Sequence, residues 1–163
     1  MSGENAKLGV CGDSSGGQMA SIVAHELKHL LDFQILIYPC VSYGGKFPSY
    51  KEFEGECYLL TPETVKFFVK CLGPNPDQHK EHFATIDYKD FSNLPRCLLI
   101  AVELDPLIDD SINYEKKLKE NNIPCSITII PGTVHGYFSQ PVAFKDAFRQ
   151  TEDSVVDFFK EIF

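Results

Sequence analysis

Basic residues are scarce in this chain: 15 Lys and Arg stand against 23 Asp and Glu, a net charge of −8. Nucleic-acid backbones are held by clustered Lys and Arg, so this balance argues against a nucleic-acid partner and against anionic membrane surfaces. Long apolar runs are also missing, and nothing approaches the roughly 18–20 residues of a spanning helix. Met1–Asn5 is polar and Lys7–Cys11 is too short for the apolar core of a signal peptide, so no leader is expected and the cytoplasm is the default compartment. Repeats and low-complexity tracts are absent. The six cysteines, at 11, 40, 57, 71, 97 and 125, include no C-x-x-C pair, which argues against a zinc ribbon or a thioredoxin-type site. Cys11, Cys97 and Cys125 adjoin apolar runs and read as small buried hydrophobes. The even count permits disulfides without assigning them.

The hydrophobic share is 44%, enough to build a core in 163 residues, the size of one ordinary domain. Short apolar runs alternate with amphipathic stretches. Strands are predicted at "KLGVC" (7–11), "FQILIY" (33–38), "CLLIAV" (97–102) and "SITII" (126–130). Helices are predicted over 16–31, 62–72, 109–121 and 142–162, the last with Phe144, Phe148, Val155, Phe159 and Ile162 on one face. Thr61 is the expected cap of the second, with Pro62 in its first turn. Continuous rather than alternating apolar strands mark a parallel sheet covered by helices on both faces. The expected fold is α/β, with about four parallel strands and right-handed crossovers in a single domain over 1–163. Residues 40–95 form a long excursion between the second and third strands, the expected pocket wall or lid.

Two catalytic signatures lie within "GDSSGGQMASIVAHELKH", residues 12–29. "HELKH" has the H-E-x-x-H spacing by which two His on one helical face bind zinc. At about 100° per residue, Met19, Val23, Leu27, Leu30 and Leu31 share one apolar sector. His25, Lys28, His29 and Asp32 fall opposite, beside Gln18 and Ser21, which predicts a solvated face for both histidines. No third ligand follows at the right spacing, since Asp32 and Ile35 stand where Gly and His are needed. No metal is expected.

"GDSSG" has the G-x-S-x-G form, and its context fits a strand-to-helix elbow that thrusts out a serine. Gly12 and Gly16 are expected to remove side chains that would clash in that turn, and Gly17 to allow close helix–strand packing. Ser14 would sit at the positive end of a helix dipole. Asp105 lies three residues past "CLLIAV" and His135 five past "SITII". All three therefore fall beyond the carboxyl ends of parallel strands, where open α/β sheets place their sites. Asp109 and Asp110 are rival acids; His25, His29, His79 and His82 are rival bases.

The blocks "GDSSGG", "VELDPLIDD" and "GTVHGYF" resemble the three triad segments of the hormone-sensitive-lipase group of α/β-hydrolases, which includes the arylacetamide deacetylases. "LIYPCVS", "NLPRCLLI" and the stretch around "LLTPETVKFF" are similar too, so the resemblance runs from about Lys7 onward. It implies a serine hydrolase cleaving small carboxylic esters or lipid esters through an acyl-enzyme, without a dissociable cofactor. Ser14 would be the nucleophile, His135 the general base and then acid, Asp105 the residue that orients it, and the Ser15 backbone N–H an oxyanion donor. Ser15 stands where the family usually has Ala, and Ile108 where a basic residue is common. The family also carries a His-Gly-Gly-Gly loop upstream of the elbow, and this sequence holds no counterpart before Ser14. The resemblance is thus to the carboxyl-terminal half of such an enzyme. Impaired activity is expected, with self-association through the unpaired strand 7–11, and an endoplasmic-reticulum location is open to a longer form. A catalytically silent ligand- or partner-binding protein on the same fold is the competing expectation.

Overall fold

Four strands form one sheet in the order β1-β2-β3-β4, every neighbouring pair parallel. They are β1 (Gly9–Asp13), β2 (Phe33–Ile37), β3 (Arg96–Leu104) and β4 (Cys125–Val134). A computed structural model describes residues 6–43, 45–55, 59–73, 75, 78 and 80–163. The central strands β2 and β3 are the continuous apolar runs, and their stretches Gln34–Ile37 and Cys97–Val102 are buried throughout. β1 and β4 stand at the edges and are only half covered. β3 and β4 each extend beyond their apolar stretch, because ladder bonds carry the pairing onto Leu104 and Val134.

The helices are α1 (Ser15–Glu26), α2 (Ser49–Glu52), α3 (Pro62–Cys71), α4 (Lys80–Phe83), α5 (Ile108–Glu120) and α6 (Lys145–Lys160). Two layers of core result. On one face Leu36, Leu99 and Cys97 pack with Ala20 of α1 and with Tyr114 and Leu118 of α5. On the other, Ile35, Ile37, Leu98 and Ile100 pack against Ala147 and Phe158 of α6. Fully burying such a side chain stabilises the fold by about 1.5–3 kcal/mol. Of the predicted α6 face, Phe144, Val155, Phe159 and Ile162 join this second cluster, and Phe148 stacks on Phe138 at 5.0 Å. Thr61 caps α3 by accepting the Thr64 N–H at 3.2 Å.

α1 departs from its amphipathic reading. It ends at Glu26, and the face it buries is mostly small or polar: Gly17, Ala20, Ser21, Ala24 and His25, with Ile22 the one large apolar side chain among them. Met19, Val23, Leu27 and Leu30 are exposed, at 57%, 37%, 42% and 54%. Close approach to the sheet selects the small residues; a Cβ on Gly17 would stand 3.0 Å from the Pro39 side chain. The polar groups on that face find partners. The Ser21 hydroxyl donates to Gln18 O at 2.7 Å and meets the Thr85 hydroxyl at 2.9 Å. His25 Nε2 meets the Tyr114 hydroxyl at 3.1 Å. The expected solvated His25 is therefore a buried helix-packing residue, since satisfied hydrogen bonds remove the penalty on a polar core group.

Candidate active site

The elbow between β1 and α1 carries Ser14 at φ 53°, ψ −119°, a conformation that L-residues rarely adopt. Two backbone bonds hold it there. The Ser14 N–H donates to Ile37 O at 2.9 Å, and the Gln18 N–H donates to Ser14 O at 3.0 Å. Gly12 makes the turn feasible, because a Cβ there would lie 2.2 Å from the Gly16 carbonyl oxygen. Gly16 contributes through that close backbone rather than through missing bulk. A Cβ on Gly16 itself would meet Asp13 only at 3.9 Å, so that part of the expectation is corrected.

β3 delivers Asp105 and β4 delivers His135 to the same rim. Ser14 Oγ lies 2.8 Å from His135 Nε2, and His135 Nδ1 lies 2.7 Å from Asp105 Oδ2. Asp105 is wholly buried, and its second oxygen accepts the Leu107 N–H at 2.8 Å, which locks the carboxylate plane. The imidazole packs against the Tyr38 ring at 4.6 Å. The Tyr38 hydroxyl donates to Asp13 Oδ2 at 3.3 Å. This arrangement permits proton transfer from the serine hydroxyl to a base whose tautomer a carboxylate fixes. The Ser15 N–H belongs to the first turn of α1, where amides lack an intrahelical acceptor.

The rivals fall elsewhere. Asp110 is buried, and its Oδ1 accepts the Val41 and Ser42 N–H groups at 3.1 and 2.7 Å. Asp109 accepts the Ser49 N–H at 2.9 Å. Both carboxylates in the first turn of α5 thus grip the excursion, a role that only long-range contacts reveal. His29 and His82 are exposed, and His79 lies outside the described residues. Because α1 stops at Glu26, His25 and His29 do not share a helical face.

Ser14 and Ser15 open onto a cavity of about 280 Å³ walled by Cys40, Ser42, Tyr43, Leu60, Phe68, Leu72 and Leu107 among others. A larger groove of about 430 Å³ between α2 and α3 holds none of the three hydrogen-bonded side chains. Burial pushes the Cys40 thiol up to about 12, reinforced by the Asp110 charge, so it is a poor nucleophile beside Ser14.

Two buried groups titrate in opposite senses. Burial holds His25 down at about 4, from 6.5. Burial pushes Asp110 up to about 7, against the bonds from Ser42 and Val41 and helped by the Asp105 charge. The unfolded chain protonates His25 below pH 6.5, whereas the folded chain resists until about 4. The His25 contribution is therefore present above pH 6.5 and lost as pH falls toward 4. The Asp110 contribution is present at low pH and lost as pH rises toward 7. In urea titrations, His25→Gln is expected to change the pH 4.5 to pH 7 stability difference by about 2–3 kcal/mol relative to wild type, the variant losing stability more steeply as pH rises. Parallel wild-type and variant profiles would contradict this.

A family model described as the alpha/beta hydrolase fold matches residues 1–139. The chain belongs to the alpha/beta hydrolase fold family. Among curated members, an ethyl acetate hydrolase of Pseudomonas putida is 28% identical over 147 residues, 86% of this chain and 46% of the relative. A carboxylesterase of Mycobacterium tuberculosis is 28% identical over 84% of this chain and 45% of its own length. The hyperthermophilic esterase of Pyrobaculum calidifontis superposes with a TM-score of 0.84 at 27% identity, covering 98% of this chain and 53% of that one. A fungal esterase from Rhizomucor miehei gives 0.83 at 30% identity, over 95% and 51%. This alpha/beta hydrolase chain thus spans about half the length of the curated relatives it matches. Among the described residues, no helix is long and apolar enough to cross a membrane.

Proposed function

We propose that this alpha/beta hydrolase chain carries the acyl-transfer machinery of a serine carboxylesterase of the hormone-sensitive-lipase group, close to the arylacetamide deacetylases. The observation that carries the reading is the relay from Ser14 Oγ through His135 to Asp105, at 2.8 and 2.7 Å, beside an apolar-walled cavity. Ser14 Oγ attacks the ester carbonyl while His135 Nε2 takes its proton, and Asp105 stabilises the imidazolium. The tetrahedral oxyanion faces the Ser15 N–H. His135 then protonates the leaving alkoxide, and a water molecule, deprotonated by the same nitrogen, releases the acyl group from Ser14.

The cavity sets the scale of the acyl group. Its 280 Å³ is nearly twice the roughly 150 Å³ that accommodates a benzene molecule, which suits a short chain or one ring. In this reading residues 40–95 serve as the pocket wall of a single domain, gripped by Asp109 and Asp110. Ser15 supplies one oxyanion donor, and a donor of this kind is worth about 10²–10³ in rate. Among the described residues β1 is an edge strand, and its free edge, with Leu8 and Cys11 exposed, is the surface for self-association in this reading.

A fluorophosphonate probe tests the assignment. Folded protein is expected to gain one adduct, mapped by peptide mass spectrometry to Ser14. Folded protein that stays unlabelled, or an adduct on another serine, would sink the assignment and favour a silent binding protein.

A further inference from the structure

The geometry points to a disulfide-forming site at Cys97 and Cys125, closed by a hydroperoxide oxidant. Cys97 on β3 and Cys125 on β4 are register partners in a parallel ladder. Neighbouring strands lie about 4.7–4.9 Å apart. That separation falls inside the Cα spacing of about 4.4–6.8 Å that a disulfide spans. Register partners also point to the same face of the sheet. Cys97 sits in the core cluster beneath α5, and Cys125 packs against that same cluster. Both thiols are free. Burial raises the Cys97 thiol well above the usual range, and its neighbour Cys125, within hydrogen-bonding contact, adds to this.

Exposure sets the order of events. Cys97 is fully buried, whereas Cys125 opens an edge strand and is partly accessible. The Cys125 thiolate attacks a peroxide oxygen: an S–O bond forms, the O–O bond breaks and, with hydrogen peroxide, the leaving hydroxide takes a proton to become water. Cys97 sulfur then attacks the Cys125 sulfenic acid: an S–S bond forms, the S–O bond breaks and the second hydroxide leaves with the Cys97 proton. Two thiols are oxidised and one peroxide is reduced to two waters. The closed loop, residues 97–125, carries Asp105 and all of α5, so the bond staples the segment that holds the relay carboxylate and the grip on the pocket wall. This site rests on strand register and stands whether or not Ser14 is a nucleophile.

The test is hydrogen peroxide treatment of the full chain, followed by intact-mass measurement, non-reducing peptide mapping and thermal unfolding. A loss of about 2 Da, a Cys97–Cys125 linked peptide and a thiol-reversible rise in Tm of about 5–10 °C are expected. Cys125→Ser, at a partly exposed position, should abolish the linked peptide and the rise in Tm. Cys97 still alkylatable after Cys125 has become sulfinic acid, or a linkage to Cys11 or Cys71 instead, would overturn the proposal.

Discussion

Ser14→Ala is expected to lower hydrolysis of a short-chain nitrophenyl ester by about 10⁴–10⁶ in kcat, to background. The substitution removes the one atom placed 2.8 Å from His135 Nε2, and with it the acyl-enzyme route. The fold should tolerate it. Ala inherits the φ of 53°, and the bonds from the Ser14 N–H to Ile37 O and from the Gln18 N–H to Ser14 O involve only backbone. Tm is therefore expected to stay within about 2–4 °C of wild type, the shift that roughly 1 kcal/mol produces in a chain of this size. Rates measured beside a melting curve separate lost chemistry from lost structure. A well-folded variant that keeps a tenth of the activity would remove Ser14 from the mechanism.

Asp105→Asn should be nearly as damaging, about 10⁴ in kcat, with KM little changed. The carboxylate serves two donors at once: Oδ1 accepts the Leu107 N–H and Oδ2 accepts from His135 Nδ1. An amide has only one oxygen. If that oxygen keeps the Leu107 N–H, the amide NH₂ faces Nδ1 and forces it to accept. The imidazole proton then moves to Nε2, pointing at Ser14 Oγ, and the base cannot take the serine proton. If the amide flips, its NH₂ abuts the Leu107 N–H and a buried donor loses its acceptor, at about 1–3 kcal/mol. The rate of fluorophosphonate labelling should fall in parallel with kcat, because both need the same proton transfer. Unchanged labelling kinetics in a folded variant would leave Asp105 a structural turn residue.

Much of the architecture was legible because it is local. The runs at 33–38 and 97–102 are apolar at successive positions, and only strands shielded on both faces need that; they became β2 and β3. Thr61 and Pro62 marked the start of α3 through the hydrogen bonding of a first turn. α1 misled. The expected apolar stripe faces outward at Met19 and Val23, and Leu27 and Leu30 fall past the helix end and are exposed, while Ser21 and His25 face the core. Periodicity assumes that the most hydrophobic face is the buried one. Here helix–sheet distance favours Gly17, Ala20 and Ala24, and the hydroxyls of Thr85 and Tyr114, more than sixty residues away in sequence, satisfy the polar neighbours.

The same division runs through the site. Ser14, Asp105 and His135 could be read as residues just past strand ends, since composition marks where each strand stops. The residue pattern left Asp109 and Asp110 as rival acids, and the family resemblance singled out Asp105. Asp105, Asp109 and Asp110 lie within six residues of one another, and one turn of backbone aims the first at His135 and the others at Ser49, Val41 and Ser42. The pairing of Cys97 with Cys125 depends likewise on which rung of β3 faces which rung of β4. Strand and helix identity follow from side-chain chemistry repeated along a short window. Partnership between distant groups follows from sheet register and from the angle at which each strand releases its chain, and no short window contains either.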